Sequence, residues 1–238
     1  MIRSSYLIIV FCCLAECLLS QVRDAGMWTD ISLNLDLGKN LGASISPEVR
    51  LDENISRVAR AFTDVGLQYK LGKYFSTGVT YRGGVSNSNY GFNGRHRMQY
   101  TLLCRYKLGD FAFTLQSRWQ VAVTSFSAEN DADFITTLRN KFQLKYTGLK
   151  GIDLSSSFET FNNTGRYSDF QLQNWRWIAN VEKKINKRNS ISLGYLIQKS
   201  LLDSPQQLDY VFLISYQYNL NLKKKKTDKD KELKPETR

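Results

Sequence analysis

Between its two ends the chain repeats one pattern. Apolar and polar residues alternate with a period of two over about ten residues, and a turn follows. Leu41, Ala43, Ile45, Pro47, Val49 and Leu51 alternate with Gly42, Ser44, Ser46, Glu48, Arg50 and Asp52. Met98, Tyr100, Leu102, Cys104 and Tyr106 alternate with Arg97, Gln99, Thr101, Arg105 and Lys107, with Leu103 the apolar exception. Phe111, Phe113, Leu115, Trp119 and Val121 do the same against Thr114, Gln116, Arg118 and Gln120, and a last run carries Leu208, Tyr210, Phe212, Ile214, Tyr216 and Tyr218. The pattern predicts eleven strands, at 29–37, 41–52, 58–70, 75–84, 96–107, 111–122, 135–146, 152–161, 172–184, 190–199 and 207–219. Beyond the first 20 residues nothing has helical periodicity, so the fold class is all-β.

The connections alternate too. Short ones contain LGKN (37–40), LGKY (71–74), LGD (108–110), GLKG (148–151) and NKR (186–188), with Gly and Asn supplying the positive φ of tight hairpins. Longer polar ones are expected near 85–95, 123–133, 162–170 and 200–206. Short turns on one rim and long loops on the other describe an up-and-down antiparallel transmembrane barrel of about 10–12 strands, short turns periplasmic and longer loops extracellular. Eleven is an awkward count, because single-chain bacterial barrels usually have an even number. Parity therefore predicts a missed or split strand, or a first segment around Trp28 that is not a simple stave.

Period-two alternation fits a lipid-facing barrel and also a secreted β-sandwich with its charges outside. Two features favour the barrel. The apolar face reads as free of Lys, Arg, Asp and Glu, as expected where a midplane charge costs about 2–4 kcal/mol. The opposite face carries both signs: Glu48, Arg50, Arg60, Asp64, Arg82, Arg97, Arg105, Arg118, Arg139, Lys141, Glu159, Arg176 and Glu182. These are the expected lumen-lining residues, with Glu48, Glu159 and Glu182 available to nearby arginines. Aromatic residues recur beside the short turns (Tyr69, Tyr74, Tyr106, Phe111, Tyr146), as in an interfacial girdle, and Trp119, Trp175 and Trp177 lie toward the long loops.

Composition then separates into parts. The chain has 238 residues, 33 Lys+Arg against 22 Asp+Glu, and a net charge of +11. Residues 1–20, with Arg3 followed by an apolar stretch from Tyr6 to Leu19, read as a cleaved signal peptide too short to span as a helix. Leu14-Ala15-Glu16-Cys17 resembles a lipobox, but Glu16 stands where a small residue is needed. Removal of the signal takes Cys12, Cys13 and Cys17 and leaves Cys104 alone, so no internal disulfide is expected. Residues 21–220 are expected to be the barrel. Residues 221–238, with 8 basic and 4 acidic residues and no aromatic, read as a disordered, solvated tail. Lys223–Lys226 can also meet anionic headgroups or peptidoglycan-associated partners. Subtracting the tail and a neutral signal leaves +7 on the barrel.

The order of several short patterns along residues 26–220 resembles an uncharacterised family of outer-membrane β-barrels, domain of unknown function 2490. The patterns are the Trp28 opening, Pro47-Glu48-Val49-Arg50, Phe62 to Tyr69 with its LGKY turn, Tyr81-Arg82, His96-Arg97, Phe158-Glu159 and Gly194-Tyr195. The resemblance implies an exported barrel and supplies no activity, substrate or site. The basic tail departs from the common arrangement in which a barrel ends on its last aromatic strand.

These residues bear on three functions. The first is a non-enzymatic outer-membrane barrel, either a structural or interaction module or a narrow channel with a charged, Arg/Glu-lined lumen. Its partners would be outer-membrane lipid, lipopolysaccharide and the barrel-assembly machinery. The second is a lipid-modifying hydrolase of the phospholipase or lipid A deacylase type. It needs a base and an activated hydroxyl, and His96 is the single histidine, with Met98 where a same-face Ser would stand and Ser86, Ser88 and Asn89 in the adjacent segment. The third, nucleic-acid binding, fails on export and on the absence of a basic helix or RNP-like motif. One His leaves no multi-histidine metal site, and no cofactor is expected.

Overall fold

The alternating segments build eleven strands in the computed structural model, which describes residues 25–88, 91–124, 134–164, 170–202 and 208–221. They are β1 (Ala25–Asp36), β2 (Leu41–Asp52), β3 (Arg57–Leu71), β4 (Phe75–Ser88), β5 (Gly91–Leu108), β6 (Phe111–Thr124), β7 (Phe134–Leu149), β8 (Ile152–Asn163), β9 (Gln171–Lys184), β10 (Asn189–Ser200) and β11 (Leu208–Asn221). The expected signal peptide, and the tail from residue 222, lie outside the described residues.

Each strand pairs antiparallel with its sequence neighbours, and the sheet closes on itself. Closure corrects the expectation of a wholly antiparallel barrel. β1 pairs parallel with β11 over its full length, from Ala25↔Tyr210 to Asp36↔Asn221. An odd count therefore needs no missed strand, and the segment around Trp28 is a full stave of 12 residues. The physical demand is only that no edge keeps unpaired N–H and C=O groups, and a parallel ladder meets it.

One rim carries the short turns at 37–40, 72–74, 109–110, 150–151 and 185–188. Gly72, Gly109 and Gly151 adopt φ of 82°, 57° and 75° there, the left-handed region that tight turns require. The other rim carries a four-residue turn at 53–56 and the longer connections. Over its described residues, 85–88 and 91–95, the loop expected at 85–95 is instead strand. β4 and β5 extend into it, paired from Val85↔Gly94 to Ser88↔Gly91.

The barrel is turned inside out relative to a water-soluble protein. Leu102, Met98 and Trp119 face outward, 49%, 54% and 60% exposed, and Leu196 and Val211 are among the few buried apolar side chains, both facing inward. Outward charge is confined to strand ends, at Lys183 and Lys199, so the apolar face is uncharged over its middle but not over its full height. Outward aromatics gather near the short turns, with Tyr74 against Tyr106 at 5.9 Å and Phe111 against Tyr146 at 5.1 Å.

Candidate functional site

Alternation sends every second residue into the lumen, and in an eleven-stranded barrel the space is too wide for short side chains to fill. Long cationic and aromatic side chains fill it instead. Arg50 lies 3.6 Å from the Trp28 ring centroid and 4.9 Å from that of Phe62, and Arg82 lies 3.5 Å from the Phe62 centroid. Arg176 reaches Trp28 at 4.9 Å and Phe161 at 4.8 Å, and Arg139 meets Phe161 at 4.4 Å. The result is a continuous relay, Arg82–Phe62–Arg50–Trp28–Arg176–Phe161–Arg139. It runs from β4 to β1, bridges the lumen to β9, and ends on β7. Each cation–π contact contributes about 0.5–2 kcal/mol, more as water is excluded.

Three carboxylates hold the relay. Asp64 binds Arg82 through both oxygens at 2.6 Å. Glu48 takes Arg50 at 2.6 Å and lies 3.6 Å from Arg82. Glu159, 2% exposed, binds Arg139 bidentately at 3.0 and 2.9 Å. It also faces Arg118 at 3.6 Å and Arg176 at 3.7 Å. Arg176 donates to Gln198 Oε1 and Arg118 to Gln116 Oε1, each at 2.6 Å. A carboxylate serving three guanidiniums is the arrangement that offsets the desolvation of buried charge.

The remaining expected lumen residues divide. Arg97 and Lys141 face inward at the same belt. Arg60 faces inward but is exposed, toward the long-loop rim. Arg105 faces inward near the short-turn rim, also exposed, and does not join the belt. Glu182 does not partner an arginine. It accepts from Lys145 at 2.7 Å, in a separate cluster where Lys145 and Lys184 reach buried Asp153 at 2.9 and 2.8 Å. Sequence reading missed Asp153, Lys145 and the three lumen aromatics.

Cavities lie on both sides of the belt. One of about 230 Å³ toward the long-loop rim is lined by Trp28, Arg50, Arg60, Arg176, Gln198 and Asp209, among others. Toward the short turns lie cavities of about 180 and 630 Å³, lined mainly by Ser, Thr, Gln, Asn and Gly. The cavity above the belt has no lining residue in common with the two below it.

His96 stands apart from this site. It projects from the outward face of β5, where its ladder partners are Gly83 and Val123 and its Nδ1 is hydrogen-bonded to the Tyr81 hydroxyl at 2.6 Å. Ser86 is buried on the inward face of β4, across the sheet from the imidazole, so the two do not form a base–nucleophile pair. Asn89 lies outside the described residues. Among the described residues no cluster of three or more His, Cys, Asp and Glu side chains has a metal-binding arrangement.

The model for proteins of unknown function (DUF2490) matches residues 25–209, from the first residue of β1 to the start of β11. The chain belongs to this family. Among solved structures, the β domain of the Bordetella autotransporter BrkA is similar to this DUF2490 barrel, with 13% identity and a TM-score of 0.47. The match covers 75% of this chain and 82% of that one. No curated protein matches the sequence.

Proposed function

We propose that this DUF2490 member is an outer-membrane barrel, acting as a structural or interaction module with its lumen sealed by its own side chains. The observation that carries the reading is the Arg–aromatic relay bridging the lumen, with Glu159 and Arg139 almost wholly buried within it. The outward apolar face, charged only at strand ends, suits lipid and lipopolysaccharide. Insertion would then depend on barrel-assembly machinery. The short turns would be periplasmic, and so would the end of β11 at Asn221.

Two measurements test this. In cell fractions, the protein is expected in the outer membrane with a gel mobility that shifts on boiling; a soluble protein would end the membrane reading. In planar bilayers, the wild type is expected to be electrically silent, whereas combining Trp28→Ala with Arg50→Ala should open discrete steps. Steady ohmic conductance in the wild type would overturn the sealed lumen, and anion selectivity would then establish the narrow-channel alternative, which the cation excess at the belt favours.

A further inference from the structure

Charge pairing in the lumen is locally incomplete. Glu48, Asp64 and Glu159 serve the arginines of β2, β4, β7 and β9, but β5 presents a cation with no such partner. Arg97 projects inward directly across the ladder from Arg82. Its Nε is buried without a hydrogen-bond partner, and among the described residues no carboxylate lies within ion-pair distance of its guanidinium. The charges that act on it most include Arg82, Arg139 and Arg50, of its own sign, and the carboxylate of Asp64. Arg118 faces Arg139, Arg82 and Asp64 as well; its terminal nitrogens reach Gln116 at 2.6 Å and Glu159 at 3.6 Å, but its Nε is also buried without a partner. Lys141, between Gln116 and Glu159 in the ladder, adds another cation to this side.

Burying a cation without a counter-charge is unfavourable. Asp64 and Glu159 are already engaged bidentately elsewhere, so neither can turn to Arg97 without stranding Arg82 or Arg139. A mobile anion resolves the imbalance, and guanidinium N–H groups are suited to paired oxygens. Arg95, two residues from Arg97 on the same face of β5, and Arg60 on β3 are both exposed toward the long-loop rim. Asp52 and Asp209 also face Arg60, and Arg95 adds a cation at this entrance, where positive charge concentrates anions.

We propose that the lumen binds a small oxyanion, of the phosphate, sulfate or carboxylate class, at the arginine cluster centred on Arg97, with Arg118 as second donor. This deepens the sealed-lumen reading, since the anion completes the belt that closes the barrel.

The test is isothermal titration of the full chain, folded in detergent, with sodium phosphate and sodium sulfate against sodium chloride at matched ionic strength. Saturable binding of an oxyanion but not of chloride is expected. Arg97→Gln should weaken it about tenfold or more, the scale of one charged hydrogen bond, while Arg105→Gln leaves it unchanged. Arg97→Lys keeps the charge and loses the fork, so it supplies a folded variant with an intermediate loss if Arg97→Gln does not assemble. No saturable binding by the wild type would overturn the proposal, as would equal weakening by the Arg97 and Arg105 variants. Bilayer conductance is read separately, so an open pore that binds phosphate and a sealed barrel that does not are distinct results.

Discussion

Gly84 shows how one missing atom permits the lumen relay. It faces inward on β4 opposite Phe62, and an added Cβ would collide with the Phe62 Cβ and the Ala61 carbonyl oxygen. Phe62 can lie there only because no side chain competes, and that placement lets Arg82 stack on the ring. Gly84→Ala is therefore expected to destabilise the barrel by about 1–3 kcal/mol, the range of overpacking. Gly94→Ala, where nothing lies within 4 Å, should stay within about 0.5 kcal/mol. Denaturant titration of the folded protein in detergent measures both, and equal losses would refute the packing argument. Most of the charged belt was legible in the sequence, since Arg50, Arg82, Arg139 and Glu159 sit in the polar phase of the alternation. Trp28, Phe62 and Phe161 were not, because aromatic residues read as outward-facing. The signal was their phase: Phe62 lies midway between Arg60 and Asp64, and Phe161 two residues after Glu159.

At the scale of the strand, period and turn chemistry were enough. β2 spans the residues expected of it, and most other strands differ by a few residues at their ends, because alternation fades where the apolar belt stops while backbone pairing continues. β5 starts five residues earlier than expected, since its first residues pair with β4 above the belt. The β1–β11 seam was the illegible element. No turn joins these strands, so nothing in the sequence pins their register or direction, although the odd count hinted at it. Side chains reinforce the seam inside the lumen: Ser215 donates to Asp30, and Asn34 Nδ2 donates to Asn219 Oδ1 at 3.1 Å. The register places Ser32 beside Gln217. With Cys104 replaced by Ser, Ser32→Cys combined with Gln217→Cys is expected to form an intramolecular disulfide in the folded barrel, seen as altered mobility on a non-reducing gel. Ser32→Cys with Asp209→Cys should not form one; the reverse result would mean a different closure.

For the whole molecule, the decisive property is which surface is apolar. Leu102 faces outward and its neighbour Thr101 inward, so one-residue spacing separates lipid from lumen on the proposed membrane reading. Leu102→Arg is expected to impair assembly, at a cost of about 2–4 kcal/mol if it lies near the midplane, whereas Thr101→Arg should be better tolerated. The fraction of heat-modifiable barrel in the membrane measures the difference, and equal tolerance would contradict the assignment of faces. The parallel seam also has a mechanical meaning. β1 begins at the long-loop rim and β11 ends at the short-turn rim, side by side. Tension applied at those two points would slide the strands past each other and load the ladder's hydrogen bonds together, in shear. A barrel with an even number of strands brings both ends to one rim, where the same pull would peel its closing pair apart one bond at a time. The odd stave thus gives this barrel an axis that resists tension across the sheet it forms.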